Sequence, residues 1–146
     1  MGRERPLVSV IIVNYNRCEL LGACLDSLEN QTFQDFEIIV VDNGSTDSSP
    51  GFIRGKLGRL IDKALFLENN TGFTGGCNRG MAEASGRLVA LLNNDAEADP
   101  GWLEALARAA ERSPHTGMWA SKILFRDSGR IDKAGHLIFP DGQNRG

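Results

Sequence analysis

The sequence lacks any hydrophobic run long enough to cross a membrane, and it is poor in residues that build metal or disulfide frameworks. Its longest apolar stretches, residues 8–13 and 88–92, have the length of strands, whereas a spanning helix needs about 20 residues. The chain has three cysteines, two histidines and no C-x-x-C pair, so the spacing of a structural zinc site is absent. We therefore expect reduced, structural cysteines, although a nucleophilic Cys–His pair stays open.

Excess positive charge is also missing, since the formal net charge is -3 and the basic residues are scattered. This balance disfavours nucleic acid as a partner, because a basic face is needed to meet phosphates. A composition of 41% hydrophobic and 24% charged residues is that of an ordinary globular domain. Residues 1–6 lack the apolar core of a secretory signal. We expect a cytoplasmic protein, with peripheral attachment at the inner face of the membrane left open for a full-length protein.

Hydrophobic periodicity alternates between strand and helix along the chain. A β-branched run with little polar alternation, such as residues 8–13, is typical of a strand buried on both faces of a parallel sheet. The alternation predicts an α/β fold with a doubly wound, mostly parallel sheet flanked by helices. Strands are predicted over residues 8–13, 37–42, 64–67, 88–92 and 117–124, helices over 17–31, within 48–62, over 78–85 and over 100–112, and a loose hairpin over 126–146.

Several residues have the spacing of helix caps. Asn16 and Glu19 resemble a capping box, and Ser45 or Thr46 can cap the second helix. Asp99 before a proline favours an N-cap over a metal ligand. Apolar residues then recur at helical spacing in the first helix, and Gly86 is predicted to stop the third. The apolar stripe of the first helix consists of Leu20, Leu21, Cys24, Leu25 and Leu28.

Polar residues follow three of the predicted strands where ligands of parallel sheets bind, at the carboxyl ends. They are the segments 14–16, 42–43 and 93–95, joined by a glycine-rich loop over 69–76. A base can stack on Tyr15 and donate an N–H to Asp42, and a diphosphate with a divalent cation can lie near Asp95. The sequence therefore predicts a nucleotide diphosphate site.

Each of these residues also has a simpler interpretation. Tyr15 can pack beside the first helix, Asp42 can close an Asx turn onto the following residues, and Asp95 can cap a loop. The glycines at 72, 75 and 76 can serve only the turn into the third helix. Glu97 is a further acid near the cation, although exposure to solvent is the simpler expectation for it.

Four segments together resemble the family 2 glycosyltransferases, which have a GT-A fold. Their motif sequences are most similar to those of the rhamnosyltransferase-like branch. The resemblance covers about residues 7–124 and implies transfer from a UDP- or dTDP-sugar to an acceptor hydroxyl with inversion. The segments are Val8 to Asn16, Gln31-Thr32 with Glu37 to Asp47, Asn69 to Gly80, and Leu91 to Asp95.

The resemblance also implies roles for particular residues. The family's Asp-x-Asp motif, which binds Mg²⁺ or Mn²⁺ with the diphosphate, is degenerate here as Asn93-Asn94-Asp95, so Asp95 is the one expected metal ligand. The acceptor is expected to be a saccharide or a lipid-linked molecule. The residues expected to bind the nucleotide sugar are Val13, Tyr15, Asp42, Asn43, Asn70, Gly72, Asn78, Asn94 and Asp95.

The resemblance assigns no catalytic base to this chain. In the family the base is usually an acid in the second half of the domain, and we expect it beyond Gly146. Residues 1–146 are thus expected to be a single nucleotide-sugar-binding portion of a truncated GT-A domain, without the acceptor half. The edge of such a sheet could pair in a homodimer.

Two other functions are alternatives to transfer. The first is a binding module that holds a nucleotide sugar without turnover. The second is a Rossmann oxidoreductase, which needs G-x-G-x-x-G after the first strand. Asn14-Tyr15-Asn16-Arg17 stands there instead, so an oxidoreductase is disfavoured.

Overall fold

A four-stranded parallel sheet with the order β3-β2-β1-β4 is the centre of the computed structural model, which describes residues 5–133, 137–138 and 144–145. β1 pairs in register with β2, so that the ends of the two strands, Asn14 and Asp42, lie side by side. The elements of this part of the chain are β1 (Val8–Asn14), α1 (Cys18–Glu29), β2 (Phe36–Asp42), α2 (Ser49–Lys56), β3 (Lys63–Phe66), α3 (Gly72–Glu83), β4 (Leu88–Leu91) and α4 (Trp102–Arg112). The predicted parallel sheet flanked by helices is confirmed.

The two central strands are buried on both faces, which explains why their sequences do not alternate. On one face, Val10, Ile12 and Val40 form a core with the apolar side of α1. Leu21, Cys24, Leu25 and Leu28 of α1 are buried as predicted. Leu20 is 38% exposed, so it lies outside that stripe.

α3 covers the opposite face of the sheet through two glycines. A Cβ added to Gly76 would lie 2.6 Å from Val13 Cγ1, and one added to Gly80 would lie 2.5 Å from Ile11 Cγ2 and 3.2 Å from Val41 Cγ2. Such distances leave no space for a methyl group. The missing side chains therefore allow the helix backbone to lie directly on β1 and β2.

We expect Gly80→Ala to lower the free energy of unfolding by about 1–3 kcal/mol, because the new methyl overpacks the contact with Ile11. The matched control is Gly51→Ala in α2, whose Cβ would meet no described atom within 4 Å. That substitution should be neutral or stabilising by up to about 1 kcal/mol, since alanine favours the helix. Urea unfolding measures both, and equal stability of the two variants would contradict the close approach.

The third helix begins earlier than the sequence predicted. α3 starts at Gly72 and ends at Glu83, so the predicted start at Asn78 is wrong and the loop before it is shorter. Gly72 has φ +75°, a backbone conformation that glycine adopts without strain. Gly86 does not stop α3, but lies before β4, where its N–H donates to Ser9 Oγ at 2.8 Å.

The predicted fifth parallel strand is also wrong. The chain divides into two units, Met1–Ala107 and Arg108–Gly146, and the second has its own short antiparallel pairs. β5 (Ile123–Leu124) pairs with β6 (Ile131–Lys133), and β7 (Leu137–Ile138) pairs with β8 (Asn144–Arg145). The antiparallel pairing within 126–146 agrees with the predicted hairpin, although residues 134–136, 139–143 and 146 lie outside the described residues.

The predicted caps are partly wrong. α1 begins at Cys18 without a side-chain cap, and Asn16 instead accepts hydrogen bonds from the next loop. For α2, Asp47 rather than Ser45 or Thr46 accepts the N–H of Ser49, at 2.9 Å. Asp99 does accept a backbone N–H, that of Gly101 at 2.9 Å, just before α4 begins. The side chain of Asp99 thus bonds the turn that leads into α4, while the helix begins two residues later than the predicted position of Pro100.

No helix in the described part of the chain is long and apolar enough to span a bilayer.

Candidate functional site

Asn14 lies at the centre of the carboxyl edge of the sheet, the name used here for the ends of β1, β2 and β4 with the loops that follow them. Its side chain is fully buried. Its Oδ1 accepts a hydrogen bond from Asn94 Nδ2 at 2.9 Å, and its Nδ2 faces Asp42 Oδ1 at 3.5 Å and Ser45 Oγ at 3.4 Å. One amide thus contacts the residues that follow both neighbouring strands.

Asp42 ends β2 and is 2% exposed. Its Oδ2 accepts the backbone N–H of Ser45 at 3.2 Å, which is the Asx turn given above as its simpler function. Its Oδ1 faces Asn14. The carboxylate is therefore held in place by both the turn and the neighbouring strand.

Asn43 joins the end of β2 to the glycine-rich loop. Its Oδ1 accepts the N–H and the hydroxyl of Thr71 at 2.9 and 3.0 Å, and its Nδ2 donates to Asn70 Oδ1 and Gly72 O, both at 3.0 Å. Asn70 Oδ1 also accepts the N–H of Gly72 at 2.8 Å. Because the amide of Asn43 is fully used, it fixes the segment from which α3 starts.

Asn16 joins the loop after β1 to the loop after β2. It has φ +50°, a conformation that asparagine tolerates better than most residues. Its Oδ1 accepts the backbone N–H groups of Thr46 and Asp47 at 2.7 and 3.3 Å, and Asp47 Oδ2 accepts the N–H of Cys18 at 3.2 Å. The two loops therefore form one connected rim.

Tyr15 follows Asn14 in this rim, and 44% of its surface is exposed. Val13, at the end of β1, is half-buried beneath Gly76 of α3. Asn78 is exposed on α3, two helical turns beyond Gly72. The edge thus combines an exposed aromatic ring with a buried carboxylate in consecutive strands.

The segment after β4 carries the exposed carboxylate of Asp95. Cys24 of α1 lies under it and donates from Sγ to Asn93 O at 3.4 Å. Burial, and then the negative charges of Asp95 and Glu97, raise the pKa of Cys24 to about 12. The thiol therefore stays protonated and serves as a structural contact.

The acids of this edge are too sparse to chelate a cation by themselves. Among residues 5–133 and the two short strands beyond them, no group of three or more His, Cys, Asp or Glu side chains could hold a metal ion. A single exposed carboxylate is still compatible with Mg²⁺, which commonly takes one or two protein carboxylates and completes its shell with phosphates and water. Asp95 fits that mode.

The site residues expected from the sequence fall into connected groups. Asn14 links Asp42 to Asn94, and Asn43 links Asn70 to Gly72, while Asn78 lies apart on the helix surface. The sequence placed Asn14 and Asn16 in the polar segment that follows the first strand, but it predicted neither the contacts of Asn14 nor those of Asn16 with the loop after β2. An asparagine directly after a run of buried apolar residues was the available signal for Asn14.

Comparison with known proteins gives a family match and relatives of similar sequence. The family model described as "Glycosyl transferase family 2" matches residues 9–144. An uncharacterized glycosyltransferase of Haemophilus influenzae is 33% identical over 131 residues, which are 86% of this chain and 40% of that protein. The chain thus spans about two fifths of the length of that relative.

Two solved structures share the fold. The mannosyltransferase PcManGT from Pyrobaculum calidifontis, solved in complex with GDP-Man and Mn²⁺, is 25% identical with a TM-score of 0.67, over 86% of this chain and 38% of that one. S. aureus TarS 1-349 in complex with UDP is also 25% identical, with a TM-score of 0.68 over 82% of this chain and 39% of that one. The four parallel strands and their helices therefore have a GT-A-like fold.

Proposed function

We propose, since this chain belongs to glycosyltransferase family 2, that the carboxyl edge of its sheet binds the sugar donor of a glycosyl transfer reaction. The donor is a UDP- or dTDP-sugar held together with Mg²⁺ or Mn²⁺. The observation that carries the proposal is the arrangement around Asn14, which joins the residues expected at the base to those expected at the diphosphate. These residues all belong to the unit Met1–Ala107.

In this proposal the nucleoside lies against Tyr15 and Asp42. An exposed ring at the end of β1 offers a face on which a base can stack, a contact worth about 1–3 kcal/mol. Asp42, at the end of the adjacent strand, supplies an acceptor for a base N–H. Val13 and Asn43 complete this part of the site by shaping the ends of the same two strands.

The diphosphate and the cation lie near Asp95 and the start of α3. Asn94 and Asp95 follow β4. Asn70 precedes α3 and Gly72 is its first residue, at the end of the helix whose dipole favours a phosphate. Asn78, further along the exposed side of α3, is proposed to contact the sugar nucleotide from that side. The solved complex of PcManGT with GDP-Man and Mn²⁺ supports a nucleotide sugar with a cation in this fold.

The chemistry proposed for the whole protein is displacement of the diphosphate by an acceptor hydroxyl, with inversion at the sugar. When bound, the cation would offset negative charge on the departing diphosphate. The residues of this chain hold and orient the donor, and none of the described residues is assigned as the base. The acceptor is proposed to be a saccharide or a lipid-linked molecule, while the rhamnosyltransferase-like branch and a homodimer stay predictions.

Calorimetric titration of UDP and dTDP, with and without Mn²⁺, tests the donor site. We expect Mn²⁺ to tighten binding of at least one of the two nucleotides. Asp95→Ala should weaken this Mn²⁺-dependent binding about tenfold, because it deletes the protein ligand of the cation. Asp35→Ala is the matched control, because Asp35 is an exposed acid at the opposite end of the sheet. It should leave binding unchanged.

Two outcomes would count against the proposal. A folded chain that binds neither nucleotide has no donor site at this edge. Mn²⁺-dependent binding that survives in Asp95→Ala would place the cation on another residue.

A further inference from the structure

The side chain of Asn14 joins the end of β2 and the loop after it to the segment after β4. Its Oδ1 accepts from Asn94 Nδ2, while its Nδ2 faces the oxygens of Asp42 and Ser45. The orientation of the amide is fixed by these partners, since a reversed amide would bring two N–H₂ groups together. The whole side chain is buried, where an unmatched polar atom is costly.

We propose that Asn14 is a positioning residue that couples the two halves of the donor site. The inference rests on the donor site proposed above and names the residue that links its parts. The shared amide is planar and rigid, so a shift of Asp42 and Ser45 toward a bound nucleoside also moves the acceptor of Asn94. The position of the turn that carries Asp95 therefore depends on the positions of Asp42 and Ser45 at the nucleoside end of the site.

The same contact assigns a role to Asn94. Its Nδ2 points inward to Asn14 rather than outward, so Asn94 acts by holding the turn against β1. This turn closes through the N–H of Ala96, which donates to Asn93 O at 3.1 Å. Asn94 is thus a tether, and Asp95 is left as the group that faces the ligand.

A double-mutant cycle with uridine separates coupling from simple damage to the site. Uridine has no phosphate, so it reports only the nucleoside end. We expect Asn94→Ala to weaken uridine binding about threefold to tenfold, which is the equivalent of one neutral hydrogen bond. This effect is expected even though Asn94 bonds Asn14 and not Asp42, so that it reaches the nucleoside end only through Asn14. Asn14→Ala should weaken it at least as much, and the double variant should be no weaker than Asn14→Ala.

Affinities are measured by NMR titration, following the amides of Asp42 and Ser45. Asn30→Ala is the matched control, because Asn30 is an exposed asparagine at the far end of α1. Asn30→Ala also removes a side-chain amide, and it should not change uridine affinity. A purely structural role of Asn14 would lower the melting temperature of each variant without producing this non-additive pattern in the folded protein.

Hydrogen exchange gives a second measurement that needs no ligand. If the tether holds the turn, Asn14→Ala and Asn94→Ala should each speed exchange of the Ala96 N–H several-fold. Unchanged exchange in both variants would overturn the tether.

The outcomes separate this inference from the proposed function. If wild-type protein binds uridine and Asn94→Ala binds it equally well, the coupling is wrong and the donor site stands. If folded wild-type protein binds neither uridine nor UDP, the donor site is wrong and the coupling fails with it. In that case, faster exchange of the Ala96 N–H in Asn14→Ala and Asn94→Ala would show that the bond between the two asparagines holds the turn but has no function in binding.

Discussion

Tyr15→Ala is expected to weaken binding of UDP by roughly 10- to 100-fold. The ring is 44% exposed at the end of β1, beside the strand that ends in Asp42. Stacking of a base on an aromatic ring contributes about 1–3 kcal/mol, and its loss is not replaced by another aromatic of the same strand. Because the side chain is exposed and outside the core, the free energy of unfolding should change little.

Tyr15→Phe provides the control for this prediction. It keeps the ring and removes only the hydroxyl, so UDP affinity should stay within about threefold of wild type if stacking is the interaction. Calorimetry with UDP and uridine measures both variants. A large loss of UDP affinity in Tyr15→Phe would show that the hydroxyl contributes to binding. Unchanged UDP affinity in Tyr15→Ala would show that the base does not stack on Tyr15.

Glu37→Gln is expected to lower the free energy of unfolding at neutral pH by about 1–3 kcal/mol, because it removes the charge from a hydrogen-bonded ion pair. Glu37 lies at the opposite end of the sheet from the proposed site and is 7% exposed. Its Oε1 accepts hydrogen bonds from Ser9 Oγ at 2.6 Å and from the N–H and hydroxyl of Ser85 at 2.8 and 2.7 Å. Its Oε2 pairs with Lys63 Nζ at 3.2 Å.

The pKa of Glu37 gives this prediction its pH dependence. Burial raises that pKa, but the hydrogen bonds from Ser9, Ser85 and Lys63 outweigh burial and lower it from 4.5 to about 2. A depressed folded-state pKa contributes stability that is present above the unfolded value and lost as the pH falls through the folded value. Wild-type protein should therefore lose this contribution between about pH 5 and pH 2, and Glu37→Gln should not show that part of the loss.

Urea unfolding at a series of pH values measures the effect. Glu29→Gln is the control, because Glu29 is an exposed glutamate at the end of α1. Its pH profile should follow that of wild type. Parallel profiles for wild type and Glu37→Gln would show that Glu37 does not carry the acid-sensitive stability.

The sequence predicted the sheet because its signals were local and strong. The β-branched runs of β1 and β2 are buried on both faces, and the polar residues that end β1, β2 and β4 do meet at one edge. The start of α3 was missed because glycines usually indicate a loop, whereas Gly76 and Gly80 are required here by contact with Val13 and Ile11. That contact is tertiary and has no local pattern.

The polar contacts of the edge were harder to foresee for the same reason. Asn16 and Glu19 have the spacing of a capping box, yet Asn16 bonds a loop 30 residues away. Likewise, Asn14 and Asn94 are 80 residues apart in the chain. Periodicity places such residues at strand ends, but the partners of each amide depend on how the strands are ordered.

The loops of the carboxyl edge are joined largely through uncharged side chains. The amides of Asn14, Asn43 and Asn94 connect the segments after β1, β2 and β4 and the start of α3. Dissolved salt screens interactions between charges, and it has little effect on bonds between neutral groups. The arrangement of these loops should therefore be the same at low and high ionic strength, so any salt dependence of nucleotide affinity would report the charge of the ligand and its cation.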